Sequence, residues 1–356
     1  MTIAILLPKP SQRPVGGYKV VYEYANRLAE IKGVSVKIYY SGCYSFSKKI
    51  SPILAIWGIV RFLYYSLGKI KISWFLLNES IKQKYVLNHT NKAVEDADVY
   101  IATALLTSFD LAKMNKKNSF YFIQGFEDWS YASKDLVYDS YKLPLKKIVI
   151  SDGLLNEVRK VGQNATLIPN GFNTNVFFVS KTQEQRNPFI IATMYHKDEL
   201  KGFPIVFEAL NRVKKKLPQL KVLCFSAFKK PDYLPDWYHF TYKATEKDLH
   251  LIYNQAAIYV SASYSEGWGL TVGEAMNCGC AVCCTDNDGF KMMVQHNKTG
   301  LMSECGDITA LENNIISLIK DVSLREKLVN NAKKTIANYS LDNAFLQFRN
   351  TIGVNG

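Results

Sequence analysis

Short apolar runs alternate along this chain with segments in which apolar residues recur every three or four positions. The first run, at residues 3–7, reads as a buried strand, and residues 34–40 as the next. Between them Gly16-Gly17 reads as a flexible turn and residues 18–30 as an amphipathic helix. Residues 98–102, 119–123 and 146–151 supply later strands. The pattern then begins again: strands at 189–194, 221–226, 257–261 and 281–285, with helices at 204–217 and 249–256 between them. Residues 339–349 read as a capped terminal helix. Alternation of this kind implies parallel sheets with crossover helices. A chain of 356 residues exceeds one ordinary core, so two α/β halves are expected.

Composition adds bounds. Hydrophobic residues make up 48% and charged residues 21%, as in globular proteins. The opening run is too brief for a signal peptide and has no charged leader. The longest membrane-span candidate, residues 50–67, is broken by Pro52 and Arg61, so no transmembrane helix is predicted. Seven cysteines, an odd count without framework spacing, suggest a reduced, cytoplasmic protein. Cys278, Cys280, Cys283 and Cys284 invite a metal reading. A buried strand over residues 281–285 accounts for them better, because no histidine completes a usual zinc spacing.

Charge is unevenly spread. Residues 1–180 hold 23 Lys/Arg against 13 Asp/Glu, so +10 of the +13 net charge falls there. That concentration points to an anionic partner of the first half.

The densest chemistry lies in Ser261-Ala-Ser-Tyr-Ser-Glu266-Gly-Trp-Gly269-Leu-Thr-Val-Gly-Glu274-Ala-Met-Asn-Cys-Gly279. It reads as a strand end, a glycine-broken turn and a helix start. Gly267 and Gly269 remove two β-carbons at the bend, so backbone N–H groups at a helix N-terminus can face a ligand. A helix N-terminus attracts phosphate, and a carboxylate accepts hydrogen bonds from sugar hydroxyls. Both in one turn suggest a sugar–phosphate compound.

This segment resembles the E-x7-E signature of retaining glycosyltransferases, family 4 in particular, and the stretch from Leu251 to Thr271 is similar to the family pattern almost throughout. So are Thr285-Asp-Asn-Asp-Gly289 and Asn297-Lys-Thr-Gly300. Leu167-Ile-Pro-Asn170-Gly171 resembles the hinge-side element, and Lys201-Gly202 the family's K-G element. The resemblance covers roughly the last half of the chain, with its elements in family order. It implies a GT-B architecture: two Rossmann-like domains facing across a cleft. Residues 1–175 would bind acceptor, 176–335 the nucleotide sugar, and 336–356 would form a helix crossing back to the first domain.

The resemblance also implies roles. Glu274 would accept hydrogen bonds from the donor ribose, and Glu266 would contact the donor sugar. Gly269, Leu270 and Thr271 would offer backbone amides to sugar or diphosphate. Lys201 would neutralise the β-phosphate as the leaving group develops charge. Gly16-Gly17 resembles the glycine pair that approaches donor phosphate or acceptor.

Departures from the family are as informative. The arginine usual about five residues before the lysine is missing from Thr193-Met-Tyr-His196-Lys197, which leaves His196 and Lys197 as the candidates to replace it. Gln124, in Gln124-Gly-Phe-Glu127-Asp128-Trp129, stands where many relatives have a histidine. The form resembles a bacterial rhamnosyltransferase-type subgroup and suggests a donor without a 6-hydroxyl. Glu127 and Asp128 are candidates to face the acceptor, with capping or solvation as their plainer roles. Met292 replaces a glutamate frequent after Gly289.

No nucleophile stands out, as the family's same-face attack with assistance from the leaving phosphate implies. Metal independence and no cofactor are expected. Residues 46–75 mix lysines with aromatics and long aliphatics, and read equally as a membrane-surface segment or a core helix with basic ends. The charge of the whole half favours association with an anionic membrane at the inner face of the cell membrane.

The expected function is therefore transfer of a sugar from a nucleotide diphosphate to a glycan or lipid-linked acceptor, in bacterial surface-polysaccharide synthesis. Alternatives are a GT-B epimerase or synthase, a catalytically silent GT-B partner subunit, and a basic nucleic-acid-binding protein. No nucleic-acid motif supports the last.

Overall fold

A computed structural model describes residues 1–41, 60, 62–65, 70, 72–128 and 132–354. The candidate membrane segment thus lies for the most part outside the described residues, as does Trp129. The described chain divides into two compact units, Met1–Pro169 with Phe345–Gly356, and Asn170–Ala344.

The first unit is built on a seven-stranded sheet: β1 (Thr2–Leu7), β2 (Ser35–Ser41), β3 (Lys82–Val86), β4 (Val99–Ala102), β5 (Ser119–Ile123), β6 (Lys146–Val149) and β7 (Ala165–Leu167). Every pairing is parallel, in the order β3-β2-β1-β4-β5-β6-β7. Its helices are α1 (Gly16–Ala29), α2 (Leu105–Met114), α3 (Lys134–Tyr141) and α4 (Asp152–Lys160). Helices cover a parallel sheet on both faces, which is why β1 and β4 read as near-continuous apolar runs and are buried almost throughout.

The second unit repeats the plan with β8 (Ile190–Met194), β9 (Lys221–Ser226), β10 (Tyr238–Tyr242), β11 (Ile258–Ser261), β12 (Ala281–Thr285) and β13 (Leu301–Ser303). They form a parallel sheet in the order β10-β9-β8-β11-β12-β13. Helices α5 (Phe203–Lys216), α6 (Glu246–Gln255), α7 (Leu270–Asn277), α8 (Asp288–Lys291), α9 (Ile308–Lys320) and α10 (Val322–Ile336) accompany it. Its core is aliphatic where α5 and α9 meet the sheet, around Val206, Leu210, Val222, Ile258, Leu311 and Ile315. In the last helix, α11 (Leu341–Thr351), Phe345 and Phe348 belong to the first unit and pack on its Tyr24, at ring-centroid distances of 5.9 and 4.6 Å.

Both sheets reverse strand order once, between β1 and β4 and between β8 and β11. At such a point neighbouring loops diverge to opposite faces and leave a crevice at the strands' carboxyl ends, where ligands of open α/β sheets bind.

Two expectations are adjusted. Gly16-Gly17 is not a separate turn but the first two residues of α1, entered from extended Val15 at φ −135°. Helix α6 starts three residues before the expected position. Thr245 and Asp248 form a capping box there: Asp248 N–H donates to Thr245 Oγ1 (3.2 Å) and Thr245 N–H to Asp248 Oδ2 (2.9 Å). The expected strand over residues 281–285 is present, and Cys278, Cys280, Cys283 and Cys284 are buried free thiols in and beside it. Burial pushes the Cys280 thiol up to about 11, so it is a packing group rather than a thiolate. Among the described residues no helix is long and apolar enough to cross a membrane.

Candidate active site

Two loops meet at the switch point of the second sheet. The first leaves β8 at Met194 and reaches a short 3-10 turn, Glu199–Lys201, capped by Asp198, whose Oδ1 accepts the Leu200 N–H at 3.0 Å. Gly202 then turns the chain into α5 at φ +63°. A β-carbon on Gly202 would stand 1.8 Å from the carbonyl oxygen of Ala262, so only glycine lets the two loops approach.

The second loop leaves β11 and runs from Ala262 to Gly269. It is pinned to the first by Tyr264 N–H, which donates to the Leu200 carbonyl at 2.8 Å. From the other side Thr285 Oγ1 (2.6 Å) and Asn287 Nδ2 (2.9 Å) both donate to the Ser263 carbonyl. Gly269 caps α7 at φ +94°, its α-carbon close against the Phe290 ring. Beyond it the first-turn amides of α7, those of Leu270 and Thr271 among them, have no intrahelical acceptor and carry the positive end of the helix dipole.

Side chains converge on this frame. Lys201 Nζ donates to Glu266 Oε2 at 2.9 Å, with the lysine 28% and the glutamate 15% exposed. His196 stands close enough to feel both. Burial holds its imidazole below the usual range, the Lys201 ammonium pushes the same way, and Asp198 and Glu266 oppose. Its Nδ1 accepts the Asp198 N–H at 3.0 Å. Lys197 Nζ stands 5.7 Å from the centroid of the Phe228 ring, against which the His196 ring also packs, at 4.9 Å. Of the two candidates for the missing arginine, His196 is the one on which the charges of Lys201 and Glu266 act.

Glu274 lies one turn into α7 and is buried. Tyr253 of α6, itself wholly buried, donates its hydroxyl to Glu274 Oε2 at 3.3 Å. Burial, and then the neighbouring Glu274 carboxylate, push the Tyr253 phenol far up, so it is held as a donor. Tyr253 was not singled out from the sequence. The available signal was a tyrosine on the apolar face of a helix, where a buried hydroxyl needs a polar partner. Trp268 was missed as well. It is buried between Phe172 and Tyr339, at centroid distances of 6.3 and 5.0 Å, and fixes the turn that carries Glu266.

The remaining predicted residues belong to the first unit. Gln124 follows β5, and its carboxamide lies against Gly17, with Nε2 3.4 Å from where a β-carbon on that glycine would stand. Gln124 Oε1 is buried and has no protein partner among the described residues. Gly16 and Gly17 open α1 after β1, on the same sheet edge. Glu127 is buried, and its Oε2 accepts the N–H of Leu105, the first residue of α2, at 2.8 Å. Burial raises its carboxyl to about 7, against which the Leu105 hydrogen bond acts. Asp128 is exposed. Among the described residues no group of three or more His, Cys, Asp or Glu gathers as a metal site.

What the second unit offers is an anion site at a helix N-terminus, one ammonium, one half-buried and one buried carboxylate, and an imidazole. That set suits a polar ligand bearing phosphate and hydroxyls.

Comparison with known proteins agrees. Residues 177–335 match the family model described as glycosyl transferases group 1. Over 90 residues the chain is 31% identical to O-antigen chain mannosyltransferase B of Escherichia coli, covering 25% of this chain and 23% of that one. Over 86 residues it is 34% identical to the capsular polysaccharide biosynthesis glycosyltransferase CapM of Staphylococcus aureus, covering 24% and 23%. The matched stretches span less than a quarter of each of these curated relatives.

Solved structures extend the likeness in fold to the whole chain. Anabaena HepE, in complex with UDP and glucose, superposes with a TM-score of 0.74 at 15% identity over 100% of both chains. Sucrose-phosphate synthase of Thermosynechococcus elongatus does so at 0.71 and 16% identity over 98% of both. Residues 177–335 thus resemble the glycosyl transferases group 1 family, and the whole chain shares the two-sheet GT-B fold of these solved structures.

Proposed function

We propose that this chain is a retaining glycosyltransferase that moves a sugar from a nucleotide diphosphate to a glycan or lipid-linked acceptor in bacterial surface-polysaccharide synthesis. The observation that carries the reading is the Lys201–Glu266 pair set beside the open N-terminus of α7. A diphosphate at that terminus gains the first-turn amides and can draw Lys201 from its carboxylate partner, which leaves Glu266 free to accept from donor-sugar hydroxyls. Glu274, already buried, loses little further hydration when ribose hydroxyls take its remaining acceptor capacity.

In the transfer step the anomeric carbon–oxygen bond to the diphosphate breaks as the acceptor oxygen bonds to the same face. The acceptor's proton passes to the departing phosphate oxygen. Lys201, seconded by His196, and the α7 amides stabilise the charge that develops there. No side chain needs to form a covalent bond, and neither metal nor cofactor is required.

Rhamnosyl transfer is the favoured specificity. The support is Gln124, to which the family resemblance gives a role near the donor sugar and whose buried amide oxygen has no partner among the described residues. The excess of basic residues in the first 180 positions supports association with an anionic membrane surface at its cytoplasmic face.

Turnover across a panel of nucleotide sugars, with nucleoside diphosphate release as the readout and a chelator arm alongside, tests the assignment. Activity with an activated 6-deoxyhexose, unchanged by chelator, is expected. Exclusive use of a hexose with an intact 6-hydroxyl ends the rhamnosyl reading. No turnover of any donor with any glycan or lipid acceptor ends the enzymatic one.

A further inference from the structure

Glu127 stands out in the first unit because its environment opposes its chemistry. A carboxylate is costly to bury, and Glu127 is buried without a cationic partner among the described residues: the group that meets it is the backbone N–H of Leu105. Helix α2 explains why a carboxylate is kept there. Its N-cap is Ala104, which has no side-chain acceptor to offer. Thr107 reaches back past it, with the N–H groups of Thr103 and Ala104 donating to its Oγ1 at 3.1 and 3.0 Å. The Leu105 amide is taken by Glu127 Oε2 at 2.8 Å. The cap of α2 therefore comes from a loop 22 residues further along the chain.

That loop is the one on which Gln124 stands. It leaves β5 at Ile123, places the Gln124 carboxamide against Gly17, and is fastened three residues later by Glu127. Phe126 packs its ring on Tyr138 and Tyr141 of α3, at 5.7 and 6.4 Å. A ring contact sets a position loosely, whereas a short hydrogen bond to a helix terminus fixes direction and distance.

We propose that Glu127 is a positioning residue: by capping α2 at Leu105 it holds the loop that carries Gln124, and it acts on sugar transfer through Gln124 without touching either substrate. The proposal rests on the glycosyltransferase reading of Gln124. Of the two roles expected for Glu127, facing the acceptor or capping, it takes up the second.

The test compares Glu127→Ala, Glu127→Asp, Glu127→Gln, Gln124→Ala and the double variant Glu127→Ala/Gln124→Ala. Each is followed by steady-state transfer and by hydrogen exchange in the full-length protein. Glu127→Gln keeps an oxygen acceptor of the same reach and is expected to hold kcat within about threefold of the parent. Glu127→Asp, one methylene short, and Glu127→Ala are expected to lower kcat about ten- to hundredfold, with donor KM changed far less. Exchange in both should rise together at residues 103–108 and 124–128. The double variant should be no slower than Gln124→Ala, because the loss passes through that residue.

Equal activity of Glu127→Asp and the parent, in the face of raised exchange, leaves a cap of purely structural value and overturns the proposal. So do losses that multiply in the double variant. If the parent itself transfers no sugar from any donor, the functional reading has failed instead, an outcome distinct from either of these.

Discussion

Lys201 and Glu266 stand 65 residues apart in sequence and 2.9 Å apart in space, each the partner of the other's charge. Their loops are brought together by Gly202, whose α-carbon lies too near the Ala262 carbonyl for any side chain. The pair is partly exposed, so its contribution to folding is no more than about 1 kcal/mol. Under the proposed function, its significance lies in what a bound anion would do to it: a diphosphate would take Lys201 and release Glu266 to the sugar.

This exchange has opposite consequences for the two partners. Lys201→Met should weaken nucleoside diphosphate binding and lower turnover about a hundredfold or more. Glu266→Gln should also lower turnover, yet bind the nucleoside diphosphate about as tightly as the parent or severalfold tighter, because Lys201 no longer has a competing anion. Calorimetric titration of both variants checks this. Equal weakening in the two would mean that the pair is not exchanged on binding.

Tyr253 makes a second prediction. Its hydroxyl donates to Glu274 Oε2 from the wholly buried side of α6, and phenylalanine fills the same space without the donor. At 3.3 Å the bond is long, so Tyr253→Phe should cost about 1 kcal/mol of stability. It should also raise the dissociation constant for the nucleotide sugar about three- to tenfold, as the carboxylate loses one of its guides. An affinity equal to the parent's would show that Glu274 is held by its other contacts alone.

The contrast between Glu266 and Tyr253 explains what could be read from the chain. Apolar runs and their spacing were enough for the central strands of both parallel sheets, because a strand buried on two faces is apolar nearly throughout, as in residues 120–123 and 281–284. The turn around Glu266 was legible because glycines and carboxylates there serve a local geometry, strand to turn to helix. Short elements at the sheet edges, such as β7 and β13 with three residues each, were not anticipated, since three residues carry no period. Relations between distant segments were illegible for a deeper reason. That Glu127 caps Leu105, or that Tyr253 meets Glu274, depends on how helices pack on the sheet, and neither spacing nor composition encodes it.

Gly202 gives a prediction about stability. Its φ of +63° is strained for any side chain, and a β-carbon would meet backbone rather than a movable group. Gly202→Ala should therefore destabilise the protein by about 2 kcal/mol or more, and should weaken nucleotide binding by moving Lys201 away from Glu266. Urea unfolding measures the first and calorimetry the second. A loss below about 0.5 kcal/mol, the range of ordinary surface changes, would mean that the two loops separate easily.

Glu127 makes stability depend on pH in a stated direction. Its carboxyl is raised from 4.5 to about 7 in the folded chain by burial, so the folded state binds more protons than the unfolded state between those values. The sign follows: stability contributed by the protonated acid is fully present below about pH 4.5 and is lost as pH rises to about 7. The span corresponds to roughly 3 kcal/mol, an upper figure for one group in a medium that relaxes around it. The nearby titratable groups do not reverse this. Tyr121 and Tyr141 are buried phenols pushed up by their own burial and then by Glu127, and both stay neutral throughout the range. Glu127→Gln removes the titration while keeping an acceptor for Leu105. Unfolding free energies of parent and variant, measured at intervals from pH 5 to pH 8, should diverge with the variant gaining on the parent as pH rises. A constant difference across that range would place the Glu127 carboxyl in its ordinary range and refute the argument from burial.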